Sequence, residues 1–145
     1  MSAPFVMLVD DEIPFVETMT KRLIKRNYTV ISANDGQEAL DKLEKNRNLD
    51  VIILDVKMPG LGGIETLKEV KKRNPLSEVI MLTGHATVES AIEGMKLGAY
   101  DYLMKPCEIE KLLAKIDEAT TKKRDHELKI REARVKEALA EHGLE

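Results

Sequence analysis

The chain has 145 residues, enough for one domain with a real core. Its formal net charge of −3 gives bulk electrostatics no hold on nucleic acid, and no apolar run approaches the roughly 18 residues of a membrane span. One cysteine, Cys107, excludes an internal disulfide and fits a reducing, cytoplasmic compartment.

Ser2-Ala3-Pro4 is too short for a signal peptide, and the first apolar run, Phe5-Val-Met-Leu-Val9, follows at once. It ends in Asp10-Asp11. A helix is expected after Asp11-Glu-Ile-Pro14, since proline is tolerated in a first turn. Phe15, Met19, Leu23 and Ile24 give it one apolar face. The run from Tyr28 to Ala33 reads as a second strand, and Asp35-Gly-Gln-Glu38 as a capping box opening a second helix, with Asp replacing Ser or Thr. Ala39, Leu40 and Leu43 form its inner face. Val51-Ile-Ile-Leu54 is a third strand, ending in Asp55. Pro59-Gly-Leu-Gly-Gly63 reads as a flexible turn before a third helix lined by Ile64, Leu67 and Val70 and stopped by Asn74-Pro75. Val79-Ile-Met-Leu82 ends in Thr83. A fourth helix carries Val88, Ala91, Ile92 and Met95 inward and stops at Gly98. Tyr100-Asp-Tyr-Leu-Met104 ends in Lys105-Pro106, and Ile109, Leu112, Leu113 and Ile116 line a fifth helix. The methionines, Met7, Met81 and Met104 among them, read as core filler.

Strands alternating with helical patterns indicate an α/β fold with a doubly wound, five-stranded parallel sheet. The first, third and fourth strands are almost wholly apolar, as strands covered on both faces are. The fifth mixes Tyr100, Asp101 and Tyr102 and reads as an edge, which leads to the flavodoxin-like order 2-1-3-4-5. Parallel strands share one carboxyl edge, where such sheets bind ligands. Asp10, Asp11, Asp55, Thr83 and Lys105 would then converge there. Three close carboxylates repel one another and call for a hard cation; Mg2+ takes oxygen ligands and suits phosphoryl chemistry. Asp55 is the nucleophile candidate, since it stands alone after the most apolar strand, while Asp10 and Asp11 read as metal ligands. Thr83 and Lys105 would meet the charge of a transferred phosphoryl group.

Four motifs in this order, Leu8-Val-Asp-Asp-Glu12, Ile53-Leu-Asp-Val-Lys-Met-Pro-Gly60, Met81-Leu-Thr-Gly84 and Gly98-Ala-Tyr-Asp-Tyr-Leu-Met-Lys-Pro106, resemble the receiver domain of two-component response regulators. The segments around Thr83–Thr87 and Glu93–Gly98 resemble receivers of the nitrogen-regulation type. The resemblance implies a domain over residues 4–119 that is phosphorylated on Asp55 by a sensor histidine kinase, a phosphotransfer protein or a small phosphodonor. It implies a Mg2+ site of Asp10, Asp11, Asp55 and the main-chain carbonyl of Lys57. It also implies a cis bond before Pro106 and a switch pair of Thr83 and Tyr102. Such a domain catalyses only its own phosphorylation and dephosphorylation, and its output goes through a downstream domain or protein. His85, two residues after Thr83, would overhang the phosphoryl group.

Two rivals fare worse on the residues. A flavodoxin-like cofactor protein would have a small-residue phosphate cradle where Asp10-Asp11 stands. An aspartyl-phosphate hydrolase usually has a second Asp where Lys57 stands. From Thr120 the composition shifts to charges of both signs, with Leu128, Val135, Leu139 and His142 at heptad-like spacing. Residues 120–145 therefore read as a helical extension of the fifth helix, either a solvated linker or a seam for a homodimer.

Overall fold

The computed structural model describes residues 2–143. Five strands, β1 (Phe5–Val9), β2 (Thr29–Ala33), β3 (Val51–Leu54), β4 (Glu78–Thr83) and β5 (Asp101–Met104), alternate with five helices. These are α1 (Ile13–Lys25), α2 (Gly36–Lys45), α3 (Gly63–Arg73), α4 (Val88–Lys96) and α5 (Ile109–Glu141). All strand pairs are parallel, in the expected order β2-β1-β3-β4-β5. Side chains alternate between the two sheet faces, so each inner strand supplies two cores. Met7, Val9, Ile52, Leu54, Val79 and Met81 pack with residues of α2 and α3. Val6, Leu8, Val51, Ile53, Ile80, Leu82 and Leu103 pack with those of α1 and α5.

Register sets the height of the strand ends. Val9 pairs with both Ala33 and Leu54, Leu54 with Met81, and Thr83 with Met104. The next amide along each strand then bonds sideways: Asp10 N–H donates to the Ala33 carbonyl, Asp55 N–H to Val9 and Lys105 N–H to Thr83. Each functional residue thus leaves the sheet with its backbone still pinned to a neighbouring strand.

Several expectations are corrected in detail. β2 starts at Thr29, one residue later than expected. On α1, Val16, Met19 and Leu23 are buried, while Ile24 is 54% exposed. On α5, Leu112 and Ile116 are fully buried, and Ile109 and Leu113 sit half-buried at the margin. The Asp35 carboxylate caps the Glu38 amide as expected, but Glu38 reaches back to the N–H of Asn34 rather than of Asp35. Met104 is 64% exposed, because β5 is an edge and Met104 is its last residue.

The largest departure is α4. Its expected inner stripe of Val88, Ile92 and Met95 is exposed, at 76%, 50% and 47%. The helix turns Ser90, Ala91, Gly94 and Leu97 toward the domain instead. Small residues let it seat closely over Met81, Tyr102 and Ile64, which all lie near Gly94. Helical periodicity reports that a stripe exists, not which side a tertiary neighbour covers.

α5 runs on without a break through the charged segment. The shift in composition at Thr120 does not mark the end of packing, since Thr120 and Lys123 are both buried. The anchor is Asp50, at the amino edge of the sheet. Its carboxylate accepts from Phe5 N–H at 2.8 Å, Lys123 Nζ at 3.2 Å and Arg124 Nη2 at 3.0 Å. Arg124 also donates to the carbonyls of Ser2 and Ala3. Burial by itself favours the neutral acid at Asp50; the bonds from Arg124 and Phe5 and the charge of Lys123 outweigh it and hold the pKa below the usual carboxylate value. Beyond this anchor the helix is exposed, with Leu128, Ile130, Val135 and Leu139 among its solvent-facing residues. No helix of the described residues is long and apolar enough to cross a membrane.

Asp50→Asn is expected to destabilise the domain by about 3 kcal/mol, since it removes one partner of a buried ion pair. A lowered folded pKa means that the unfolded chain binds the proton first. The stabilisation is therefore complete above the unfolded pKa of about 4 and is lost as pH falls through the folded value. Urea unfolding between pH 5 and 2 checks both points: wild type should lose stability more steeply with acid than Asp50→Asn.

Candidate functional site

Carboxylate oxygens of Asp10, Asp11 and Asp55 lie within 4.8 Å of one another at the carboxyl edge. Asp10 and Asp55 are buried and Asp11 is exposed. One cation answers them. Lys105 Nζ lies 2.6 Å from Asp10 Oδ2, 3.1 Å from Glu12 Oε1 and 3.9 Å from Asp55 Oδ2. It also sits 4.0 Å from the centroid of the Phe15 ring. The Lys105–Pro106 bond that follows β5 is cis.

The charges do not balance, and the titration directions follow from that. Burial is the main cause that raises the Asp10 pKa, and the neighbouring Asp55 adds to it; Lys105 and the Glu12 N–H pull the other way without prevailing. Burial opposes the charge of Lys105, yet Asp10, Glu12 and Asp55 together raise its pKa. The one ammonium among several carboxylates is overcompensated, while Asp10 is undercompensated.

Asp55 is the focal group. Its Oδ1 is buried without a hydrogen-bond partner. A buried acceptor left unmade costs about 1–3 kcal/mol, and an ion or a catalytic role is among the explanations for one. An oxygen-rich set of this kind fits a hard divalent cation. Thr83 is fully buried at the end of β4, and its hydroxyl accepts from His85 N–H at 3.0 Å. Lys57 is exposed on the β3–α3 loop, where it lines a cavity of about 460 Å3 with Asp11, Glu12 and His85. Tyr102 is not at this site. It packs on the α3–α4 side of the sheet, with its hydroxyl 2.6 Å from Ser90 Oγ.

Four contributors escape sequence reasoning. Glu12 is a direct Lys105 partner, signalled only by its place after Asp10-Asp11. Phe15 reads in sequence as α1 core, yet it lies under the ammonium. Ser90 gives no signal until β5 is placed beside α4. Gly63 reads as part of a flexible turn but opens α3 against the end of β3 at Asp55. A Cβ there would lie 2.0 Å from the Asp55 carbonyl oxygen and 2.6 Å from Val56 Cα, both backbone atoms that cannot swing aside.

The family model of the response regulator receiver domain matches residues 6–117. The chain belongs to the response regulator receiver family. Among curated relatives, transcriptional regulatory protein ZraR of Escherichia coli O157:H7 is 38% identical over 114 residues, 79% of this chain and 26% of that protein. The DNA-binding transcriptional regulator NtrC of Klebsiella pneumoniae is 32% identical over 119 residues, 82% of this chain and 25% of that protein. The receiver chain thus spans about a quarter of the length of these relatives, which bear out its likeness to receivers of the nitrogen-regulation type. Among solved structures, a response regulator receiver domain protein from Clostridium thermocellum has a TM-score of 0.80 at 36% identity, covering 83% of this chain and 97% of that one.

Gly63→Ala is expected to cost this receiver about 1–3 kcal/mol by overpacking. The strain falls on Asp55, so NMR shifts of the Asp55 and Val56 amides should move more than those of the Asp50 region. Thermal unfolding with an amide fingerprint checks both.

Proposed function

We propose that Asp55 accepts a phosphoryl group and that this modification switches a protein-interaction face. The observation that carries the reading is the partnerless, buried Oδ1 of Asp55, a residue clustered with Asp10 and Asp11 and 3.9 Å from the Lys105 ammonium. The donor is a sensor histidine kinase, a phosphotransfer protein or a small phosphodonor such as acetyl phosphate. A carboxylate oxygen of Asp55 forms the new O–P bond, and the bond from phosphorus to the donor breaks with its electron pair leaving on the donor. Lys105 turns its ammonium from Asp10 toward the phosphoryl oxygens, and Thr83 donates its hydroxyl proton to one of them. Water reverses the modification by attack at phosphorus, releasing the Asp55 carboxylate and inorganic phosphate. The chain catalyses these two steps on itself and turns over no separate substrate.

Asp10, Asp11, Asp55 and the main-chain carbonyl of Lys57 would hold Mg2+. When bound, the ion offsets carboxylate repulsion and stabilises charge on phosphoryl oxygens. Output runs through Thr83 and Tyr102 to the surface of α4 and β5. There Val88, Ile92, Met95 and Met104 are exposed and offer an apolar contact to a downstream domain or protein. The setting is the cytoplasm, and any contact with nucleic acid belongs to that downstream partner.

Incubation with acetyl phosphate and Mg2+ is expected to add one phosphoryl mass to the intact protein. Asp55→Asn, or wild type in excess chelator, should lose the adduct. An undiminished adduct in either would refute the assignment.

A second reading concerns α5. Leu128, Val135 and Leu139 form an exposed stripe, which lies between Asp125 and Glu132 on one side and Arg124 and Arg131 on the other by helical angle. Parallel pairing of two copies sets the acidic side against the basic side; antiparallel pairing sets like against like. The short stripe supports a weak, parallel homodimer. Sedimentation of the full chain should show reversible dimers that Val135→Glu abolishes; concentration-independent monomers with and without beryllofluoride would leave α5 a linker.

A further inference from the structure

Tyr102 pairs with Met81 across the β4–β5 ladder, two residues along β4 from Thr83. Its ring packs over the face of α4 that carries Gly94, and its phenol meets Ser90 Oγ at 2.6 Å. Ser90 is also half of the α4 cap. Thr87 N–H donates to Ser90 Oγ at 3.1 Å, Ser90 N–H donates to Thr87 Oγ1 at 3.0 Å, and Ser90 Oγ donates to the Thr87 carbonyl at 3.1 Å. A serine hydroxyl has one proton and two lone pairs. The Thr87 hydroxyl also donates to Ser90 Oγ, at 3.0 Å. Ser90 Oγ thus sits among the Thr87 amide, hydroxyl and carbonyl and the Tyr102 phenol, more contacts than one proton and two lone pairs serve at once, so the phenol shares this hydroxyl with the cap.

The same turn of α4 walls a cavity of about 540 Å3 shared with Lys57 and His85, which follow Asp55 and Thr83 by two residues each. The phenol is therefore fastened to a piece of α4 that shares a cavity with the loops leaving β3 and β4.

We propose that Ser90 is a positioning residue that holds Tyr102 against α4 in the unphosphorylated state and ties the ring to the N-terminal cap of that helix. This rests on the reading of Thr83 and Tyr102 as the switch. Turning the ring inward breaks the Ser90–phenol bond, so the bond biases the chain toward its resting form and lowers its apparent affinity for whatever drives the change. It also gives α4 a means to sense the ring. The cap loses a partner when Tyr102 leaves, and the exposed stripe of Val88, Ile92 and Met95 belongs to the helix that this cap begins.

The test uses the full chain, with Mg2+ and beryllofluoride as the phosphoryl mimic, followed by NMR shifts around Asp55. Ser90→Ala is expected to bind beryllofluoride about 5-fold more tightly than wild type, the factor supplied by one net hydrogen bond of about 1 kcal/mol. Ser90→Thr keeps a hydroxyl and should stay near wild type. Tyr102→Phe should gain a similar factor, and the double variant should gain no more than either single one. Without beryllofluoride, Tyr102→Phe should slow exchange of the Thr87 amide, since the phenol no longer competes for Ser90 Oγ, on which that hydrogen rests; a tyrosine that merely packs would not reach it. Unchanged affinity in Ser90→Ala, or gains that add in full in the double variant, would overturn the latch alone. A wild type that takes no beryllofluoride would overturn the reading of Asp55, and the latch as part of a switch with it.

Discussion

The site depends on one ammonium answering too many carboxylates. Lys105 reaches Asp10, Glu12 and Asp55 from the far side of β4. It can do so because the parallel register sets the ends of β1 and β3 level and the end of β5 two residues further along, level with Thr83. A one-residue slip in an inner strand would swap its side chains between the two differently shaped cores and carry its polar end away from the cluster. The buried charges and the hydrophobic cores therefore specify the same register. The arrangement is undercompensated by design of composition: Asp10 stays above the usual carboxylate range even with an ammonium at 2.6 Å. A group that brings positive charge, or a covalent change that redistributes the negative charge, meets a site already poised for it.

The opposite edge of the sheet is built on the reverse balance. At Asp50 one carboxylate is met by two cations and a backbone amide. Glu127, 3.1 Å from Lys123, meets the second positive charge. Compensation of that kind favours rigidity, and it joins the amino terminus, β3 and the middle of α5 in one cluster. The contrast between the edges separates the part of the chain suited to holding its shape from the part suited to responding. α5 takes part in both, since it begins just beyond the Lys105 loop and passes through the Asp50 anchor before it leaves the domain.

α4 buries little of its own apolar surface. It meets the domain through Ser90, Ala91, Gly94 and Leu97, of which only Leu97 has much apolar area to bury. Its cap and the Ser90–Tyr102 bond add polar contacts to that small apolar one. Its exposed Val88, Ile92 and Met95 are thus free for a partner, and the helix can shift without opening a large cavity. An added Cβ at Gly94 would find ordinary contact distances, so crowding does not require glycine there.

Much of this was legible in the residues. Alternating apolar runs and helical periods determined the five-stranded α/β order, because burial on both faces demands apolar strands and parallel connection demands intervening helices. The polar endings of those runs pointed to Asp10, Asp11, Asp55, Thr83 and Lys105, since parallel strands share one edge. Periodicity could not say which side of α4 faces inward, nor that Thr120, Lys123 and Arg124 still pack against the domain, because both depend on partners distant in sequence. Nor could it find Phe15 beneath an ammonium, Gly63 against the Asp55 carbonyl or Ser90 beneath a phenol. The sequence by itself determined which chemistry gathers at the carboxyl edge, since residue type and strand polarity are local properties. Only the tertiary structure decided which groups touch, since a contact between residues some 90 positions apart, as between Asp10 and Lys105, exists only once the sheet has closed the distance.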